Sequence, residues 1–118
     1  MTARLIGRAM AADLGFSPGD ATLIATAVSE LARNVVQYAR QGEVVFTALS
    51  AGGRLGIAVT VADEGPGIDD VTAALQDGYS TSGRLGLGLP GVRRLMDELA
   101  IESLPGRGTT VKVKKWKR

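Results

Sequence analysis

The sequence contains no cysteine and no histidine, and aromatic residues make up only 4% of it. Without cysteine the chain has no disulfide, no thiolate metal site and no cysteine nucleophile. Without histidine it has no imidazole–zinc site and no Ser-His-Asp triad of its own. So few aromatic side chains also argue against a surface that stacks nucleic-acid bases.

Long apolar runs are missing as well. No stretch approaches the roughly 18 consecutive apolar residues of a membrane-spanning helix, and no signal-peptide pattern opens the chain. We therefore expect a cytoplasmic protein without a membrane partner. With 118 residues, 45% of them hydrophobic, the chain is predicted to form one domain over 1–118 with a substantial core.

Basic side chains are in small excess, with 14 of them against 12 acidic side chains. The excess lies at the end of the chain, at Lys112, Lys114, Lys115, Lys117 and Arg118. A basic tail can bind phosphate backbones, but we favour a solvated strand edge on which lysines discourage pairing with another sheet. Nucleic acid is not expected as a partner.

Glycine is abundant, at 16 of 118 residues, roughly twice its usual share.

Hydrophobic spacing predicts a first helix ended by Gly15 and a second from Ser17-Pro18 to about Arg40. Two strands joined by a glycine hairpin are predicted next, at 43–49 and 55–63. They are followed by a helix at 71–76, a mobile loop at 77–85, a helix at 88–99, and strands at 101–104 and 109–116. This order favours helices on one face of a mixed or antiparallel sheet.

Glu30 and Asn34 stand four residues apart on the second predicted helix, hence on one face of it. They lie at the rim of the apolar stripe formed by Ile24, Val28, Leu31, Val35 and Tyr38. An acid and an amide there could border a cleft, or they could be the ordinary polar flank of an amphipathic helix.

Asp63 ends a predicted strand and is followed by Gly65 and Gly67. A carboxylate at a sheet edge can accept a hydrogen bond from an exocyclic amine, and neighbouring glycines allow a planar ring to approach the backbone. The alternative is a turn built from turn-favouring residues.

A second glycine cluster begins at Gly83 and leads into a predicted helix. Backbone amides at such a start can bind phosphate, although a merely flexible helix start stays open. Gly86, Gly88 and Gly91 match a dinucleotide-binding string, but it does not directly follow a strand, so we reject that interpretation. Thr109, which enters the last strand after Gly108, is a weak signal alone.

Together, and in this order, these motifs resemble the nucleotide-binding domain shared by histidine kinases, Hsp90-type chaperones, type II topoisomerases and MutL-type repair ATPases, the GHKL or Bergerat fold. Residues 29–34, 63–68, 78–83 and 89–98 resemble the serine kinases of the anti-sigma-factor type, and stressosome switch kinases in particular. The resemblance covers about residues 3–117. It implies an α/β two-layer sandwich, with a mixed, mostly antiparallel sheet covered on one face by about three helices.

The resemblance also implies roles for single residues. Asn34 would be the Mg²⁺ ligand, and Glu30 would be the general base for the attacking serine hydroxyl. Asp63 would bind the adenine amine, with Gly67 beside the ring and Thr109 supporting it. The full implied ATP-binding set is Asn34, Asp63, Gly65, Gly67, Gly83, Arg84, Leu85, Gly86, Gly88 and Thr109.

The implied function is a Mg-ATP-dependent serine/threonine protein kinase that phosphorylates STAS-domain scaffold and antagonist proteins. It would then activate a downstream regulator such as a phosphatase or cyclase. An anti-sigma factor kinase that binds a sigma factor, and a nucleotide-dependent binding module without transfer activity, are the alternatives. Family members usually begin with a strand before the first helix, whereas this chain starts almost in that helix, so one edge strand is expected to be missing.

Overall fold

The computed structural model describes residues 2–38, 42–63, 88–104 and 108–117. In chain order the elements are α1 (Ala3–Asp13), α2 (Pro18–Tyr38), β1 (Gly42–Ala51), β2 (Arg54–Asp63), α3 (Gly88–Leu95), β3 (Glu98–Leu104) and β4 (Gly108–Trp116). The helix predicted at 71–76 and the loop predicted at 77–85 lie outside these residues. None of the described helices is long and apolar enough to cross a membrane.

The junction between α1 and α2 confirms both predicted helix boundaries. Gly15 has a φ of 91°, and the N–H groups of Gly15 and Phe16 donate to carbonyls in the last turn of α1, each at 3.0 Å. This bonding pattern ends a helix with a left-handed glycine. Ser17 then caps α2, because its Oγ accepts from the Asp20 N–H at 3.1 Å.

The predicted glycine hairpin joins β1 to β2. Ala51 pairs with Arg54, and the two residues between them, Gly52 and Gly53, have φ values of 58° and 79°. Positive φ at both central residues is the requirement of the type I′ turn, one of the two common two-residue hairpin turns. The four described strands follow the order β1-β2-β4-β3, and each neighbouring pair is antiparallel.

The core lies between one face of this sheet and the helices. From α2 it takes Ile24, Val28 and Leu31, all of them buried. From the strands it takes Ile57, Val59 and Val61 of β2 with Val111 and Val113 of β4, and from α3 Leu89 and Val92. Alternate residues of each strand therefore face the helices, which confirms the predicted two-layer α/β sandwich with helices on one face.

Two of the large apolar residues of α1 lie outside its buried face. Leu5 and Ile6 are 44% and 40% exposed, whereas Gly7 and Ala11 are buried. A Cβ on Gly7 would lie 3.1 Å from Cε1 of Phe46. The helix therefore approaches the sheet side through small residues, because a larger residue at this position would collide with the aromatic ring.

The predicted helix over 88–99 is too long. α3 ends at Leu95, and residues 98 and 99 already belong to β3. The Asp97 N–H donates to the Lys114 carbonyl at 2.9 Å, and Glu98 pairs with Lys114 in the sheet. Pairing with β4 thus overrides the helical spacing of this apolar segment.

The sequence interpretation placed the basic residues near the end of the chain on a strand edge, but Lys112, Lys114 and Lys115 lie in a central strand of the described sheet. β4 runs between β2 and β3, so its backbone is paired on both sides. Lys112 is exposed, while Lys115, on the core-facing side, is buried. The edge-protection interpretation of these lysines is therefore wrong.

Candidate functional site

Glu30 is buried in the second half of α2. Glu30 is only 7% exposed, although the sequence placed it at the rim of the apolar stripe. Its Oε1 lies 3.5 Å from Nη1 of the half-exposed Arg33. Burial of a carboxylate costs free energy unless the charge is compensated, so Glu30 is not an ordinary solvated flank of the helix.

Asn34 follows one turn later on α2, as predicted, and its side chain lies outside the part of the chain that the structure describes. Among the described residues, no three acidic side chains come together to hold a metal ion. A divalent cation here would depend on one amide oxygen, phosphate oxygens and water. That donor set suits Mg²⁺, which keeps several waters and binds nucleotide phosphates rather than an all-protein cage.

Asp63 and Thr109 meet at one end of the sheet. They are register partners at the end of β2 and the start of β4, and Oδ1 of Asp63 accepts from the Thr109 N–H at 3.2 Å. Thr109 is buried at 8% exposure. The fold therefore joins two predicted site residues that lie 46 positions apart in the chain.

The sheet register relates this pair to α2. Gly42 pairs with Asp63, and only residues 39–41 separate the end of α2 from Gly42. The C-terminal end of α2 therefore lies near the end of the sheet that holds Asp63 and Thr109, with Asn34 in the helix's last turns and Glu30 one turn before Asn34. An acid, an amide and a strand-end carboxylate are residue types that can bind a nucleotide and act on its phosphates.

Ser103 is a residue of this region that the sequence reasoning missed. It is the register partner of Thr109 on β3, and its Oγ lies 2.9 Å from Oγ1 of Thr109. The same Oγ donates to the Gly108 carbonyl at 3.2 Å. Because a serine in a short strand has no distinctive sequence signal, only the strand register could have identified it.

The predicted glycine-rich parts of the site fall mainly outside the described residues. This holds for Gly65, Gly67, Gly83, Arg84, Leu85 and Gly86. Gly88 is the first residue of α3, so a helix does begin within the second glycine cluster, at the predicted start.

Comparison with known proteins identifies the family of the chain. The family model of the histidine kinase-like ATPase domain matches residues 1–115. The chain is 46% identical over 118 residues to the serine/threonine-protein kinase RsbT of Bacillus subtilis strain 168, covering all of this chain and 89% of that protein. It is 35% identical over 120 residues to the anti-sigma F factor of Thermoanaerobacter sp. strain X514, covering 97% of this chain and 82% of the other.

Among solved structures, the mycobacterial sensor histidine kinase MprB is similar in fold. Its TM-score is 0.64 at 19% sequence identity, over 85% of this chain and 74% of the other. At that identity the likeness concerns the fold alone. The match over residues 1–115 and the full-length similarity to RsbT show that the chain belongs to the histidine kinase-like ATPase domain family.

Proposed function

We propose that this chain is a Mg-ATP-dependent serine/threonine protein kinase that acts in a partner switch. The observation that carries the proposal is the buried carboxylate of Glu30, one helical turn before Asn34. The end of α2 is followed closely by β1, whose first residue, Gly42, pairs with Asp63, and this supports a common site. Similarity to a serine/threonine-protein kinase over the whole chain supports the proposal.

In this proposal Asp63 recognises the base. A carboxylate has about four acceptor positions, and the Thr109 N–H occupies one of them and fixes the orientation of the group. Asp63 accepts from the exocyclic amine of adenine, with Gly65, Gly67 and Thr109 beside the base. Gly83, Arg84, Leu85, Gly86 and Gly88 would surround the phosphates.

The transfer step uses Glu30 as general base. Its carboxylate takes the proton of the substrate serine hydroxyl while the serine oxygen attacks the γ-phosphorus of ATP. The bond between the γ-phosphorus and its bridging oxygen breaks, and ADP leaves. Mg²⁺, held by Asn34 with phosphate oxygens and water, would neutralise the charge of the phosphates. Arg33, 3.5 Å from Glu30, helps to hold the carboxylate in place.

The substrates that we propose are STAS-domain scaffold and antagonist proteins, and phosphorylation would release the kinase to activate a downstream regulator such as a phosphatase or cyclase. This part rests on the resemblance of residues 29–34, 63–68, 78–83 and 89–98 to stressosome switch kinases. A cytoplasmic location is part of the same proposal.

A second candidate is an anti-sigma factor kinase that binds a sigma factor. It is supported by the 35% identity to an anti-sigma F factor over 97% of this chain. The two candidates share their chemistry and differ in the partner. A binding module without transfer activity is less well supported, because such a module has no need of a buried acid at Glu30.

The test is incubation of the purified chain with γ-labelled ATP and candidate STAS-domain proteins, followed by identification of the labelled residue. The proposal predicts phosphoserine or phosphothreonine on a STAS protein, and none when the chain is omitted. Absence of transfer to every STAS protein, together with stable capture of a sigma factor, would favour the second candidate.

A further inference from the structure

The geometry points to Arg33 as a further catalytic residue, whose guanidinium contacts the phosphoryl group while it is transferred. This inference deepens the proposed function and rests on it. Besides holding the carboxylate of Glu30, Arg33 changes partner during the reaction, from that carboxylate to the oxygens of the phosphoryl group.

Arg33 is the accessible member of an ion pair whose other member is buried. Its side chain is 47% exposed, whereas the side chain of Glu30 is 9% exposed. The two residues stand three positions apart on α2, and residues at that spacing are neighbours on a helix surface. A positive charge that solvent can reach therefore lies directly beside the buried acid.

The contact between the two groups leaves Arg33 able to take a second partner. Nη1 of Arg33 lies 3.5 Å from Oε1 of Glu30, whereas a charge-assisted hydrogen bond is shorter, at about 2.7–2.9 Å. A guanidinium has five N–H donors in a planar fork that matches the oxygens of a phosphate group. Among the residues that the structure describes, Glu30 is the single acid within ion-pair distance of Arg33.

The transferred phosphoryl group comes close to this guanidinium. A general base lies about 2.6–3.2 Å from the oxygen whose proton it takes. The serine oxygen that receives the phosphoryl group is therefore one hydrogen bond away from the carboxylate that contacts Arg33. The half-exposed side chain of Arg33 can turn over that distance, because solvent surrounds about half of it.

The reaction itself weakens the ion pair. As the serine oxygen bonds to the γ-phosphorus, its proton passes to Glu30, and the electron pair of the broken bond leaves with ADP. The carboxylate becomes a neutral acid, while Arg33 keeps its charge throughout. Negative charge is meanwhile spread over the three equatorial oxygens of the phosphoryl group. Arg33 therefore binds the transition state more strongly than the ground state, which is the condition for accelerating transfer.

The experiment measures single-turnover transfer to a STAS-domain partner at saturating ATP. Arg33→Gln, which removes the charge, should slow transfer by about 10- to 100-fold, less than the loss of a fully buried donor. ATP affinity should change by less than about threefold. Arg33→Lys keeps the charge but not the planar fork, so its rate should lie between the two. Arg8→Gln, exposed on α1, is the matched control and should transfer at the wild-type rate.

A double variant separates contact with the phosphoryl group from the holding of Glu30. If Arg33 acts solely through the carboxylate, Arg33→Gln costs nothing further once Glu30→Gln is present. Contact with the phosphoryl group predicts a further loss of about threefold or more. Equal rates for Glu30→Gln and the double variant would contradict the inference.

ADP with aluminium fluoride, which mimics the phosphoryl group in flight, gives a measurement that needs no turnover. In the presence of Mg²⁺ and the partner, Arg33→Gln should bind this mimic about tenfold more weakly than wild type does, with unchanged affinity for ADP alone. Equal weakening of both, the result of a merely structural role, would overturn the inference.

The proposed function and this inference fail in different ways. A wild type that transfers phosphate to no protein partner refutes the kinase itself. A wild type that does transfer phosphate, with an unchanged rate in folded Arg33→Gln, leaves the kinase intact and refutes only the role of Arg33.

Discussion

The ammonium group of Lys115 donates a 2.8 Å hydrogen bond to the carbonyl oxygen of Leu95, the last residue of α3. A helix leaves its last carbonyls without partners, and a cation at that end also interacts favourably with the helix dipole. The contact fixes the end of α3 to β4. It gives a buried lysine a partner and connects the helix that follows the second glycine cluster to the centre of the sheet.

Replacing Lys115 by methionine should therefore destabilise the fold by about 1–2 kcal/mol, because the Leu95 carbonyl remains while its charged donor is lost. Lys112→Met, at an exposed position of the same strand, should stay within about 0.5 kcal/mol of wild type. Urea unfolding followed by the fluorescence of Trp116, the chain's single tryptophan, measures both. Equal midpoints for Lys115→Met and wild type would show that the contact does not stabilise the protein.

The Trp116 indole packs against Gly56 on the sheet face opposite the core. A Cβ at Gly56 would lie 2.7 Å from Cε3 of Trp116 and 3.0 Å from the Lys115 carbonyl oxygen. The indole Nε1 donates to Glu98 at 2.9 Å, which holds the ring. Gly56→Ala should destabilise the protein by about 1–3 kcal/mol through this overpacking and shift the tryptophan emission.

Gly19→Ala is the matched control for that substitution. A Cβ there would meet only Ser17 Oγ, at 4.0 Å, and the residue lies in the first turn of α2. Alanine should leave stability unchanged or raise it by up to about 1 kcal/mol. If Gly56→Ala is as stable as Gly19→Ala and its tryptophan emission is unchanged, the position of the indole does not depend on Gly56.

Asp63→Asn should weaken ATP binding about ten- to a hundredfold, equivalent to roughly 1.5–3 kcal/mol. The single amide oxygen would accept from the Thr109 N–H, as Oδ1 of Asp63 does at 3.2 Å. The amide NH₂ would then face the adenine amine with donors instead of acceptors. Calorimetry measures the affinity, and Asp13→Asn, exposed at the end of α1, should bind as wild type does. Unchanged ATP affinity in folded Asp63→Asn would show that Asp63 does not bind the adenine base.

Much of this fold is predictable because its boundaries are set by local chemistry. The turn at Gly15 and the cap at Ser17 depend on neighbouring residues, and so does the hairpin at Gly52-Gly53. Such features need no knowledge of the rest of the chain. The spacing of Glu30 and Asn34 on one helix is equally local.

The features that sequence reasoning missed depend on contacts between distant segments. α3 stops at Leu95 because β4 supplies both a strand partner and the Lys115 ammonium. The burial of Gly7 instead of Leu5 depends on the position of Phe46 across the core. The contact of Ser103 with Thr109 exists only in the register of β3 with β4.

The central claim is that Glu30 is a catalytic base and not a structural acid. The most direct test is the rate of single-turnover phosphoryl transfer to a STAS-domain partner by Glu30→Gln and Asn34→Ala, with ATP affinity measured in parallel. Glu30→Gln should keep ATP affinity close to wild type and slow transfer by roughly 10²–10⁴-fold, the usual contribution of a general base. Asn34→Ala should impair both affinity and transfer, whereas Glu43→Gln, exposed on β1, should impair neither. Transfer at the wild-type rate by folded Glu30→Gln would contradict the account.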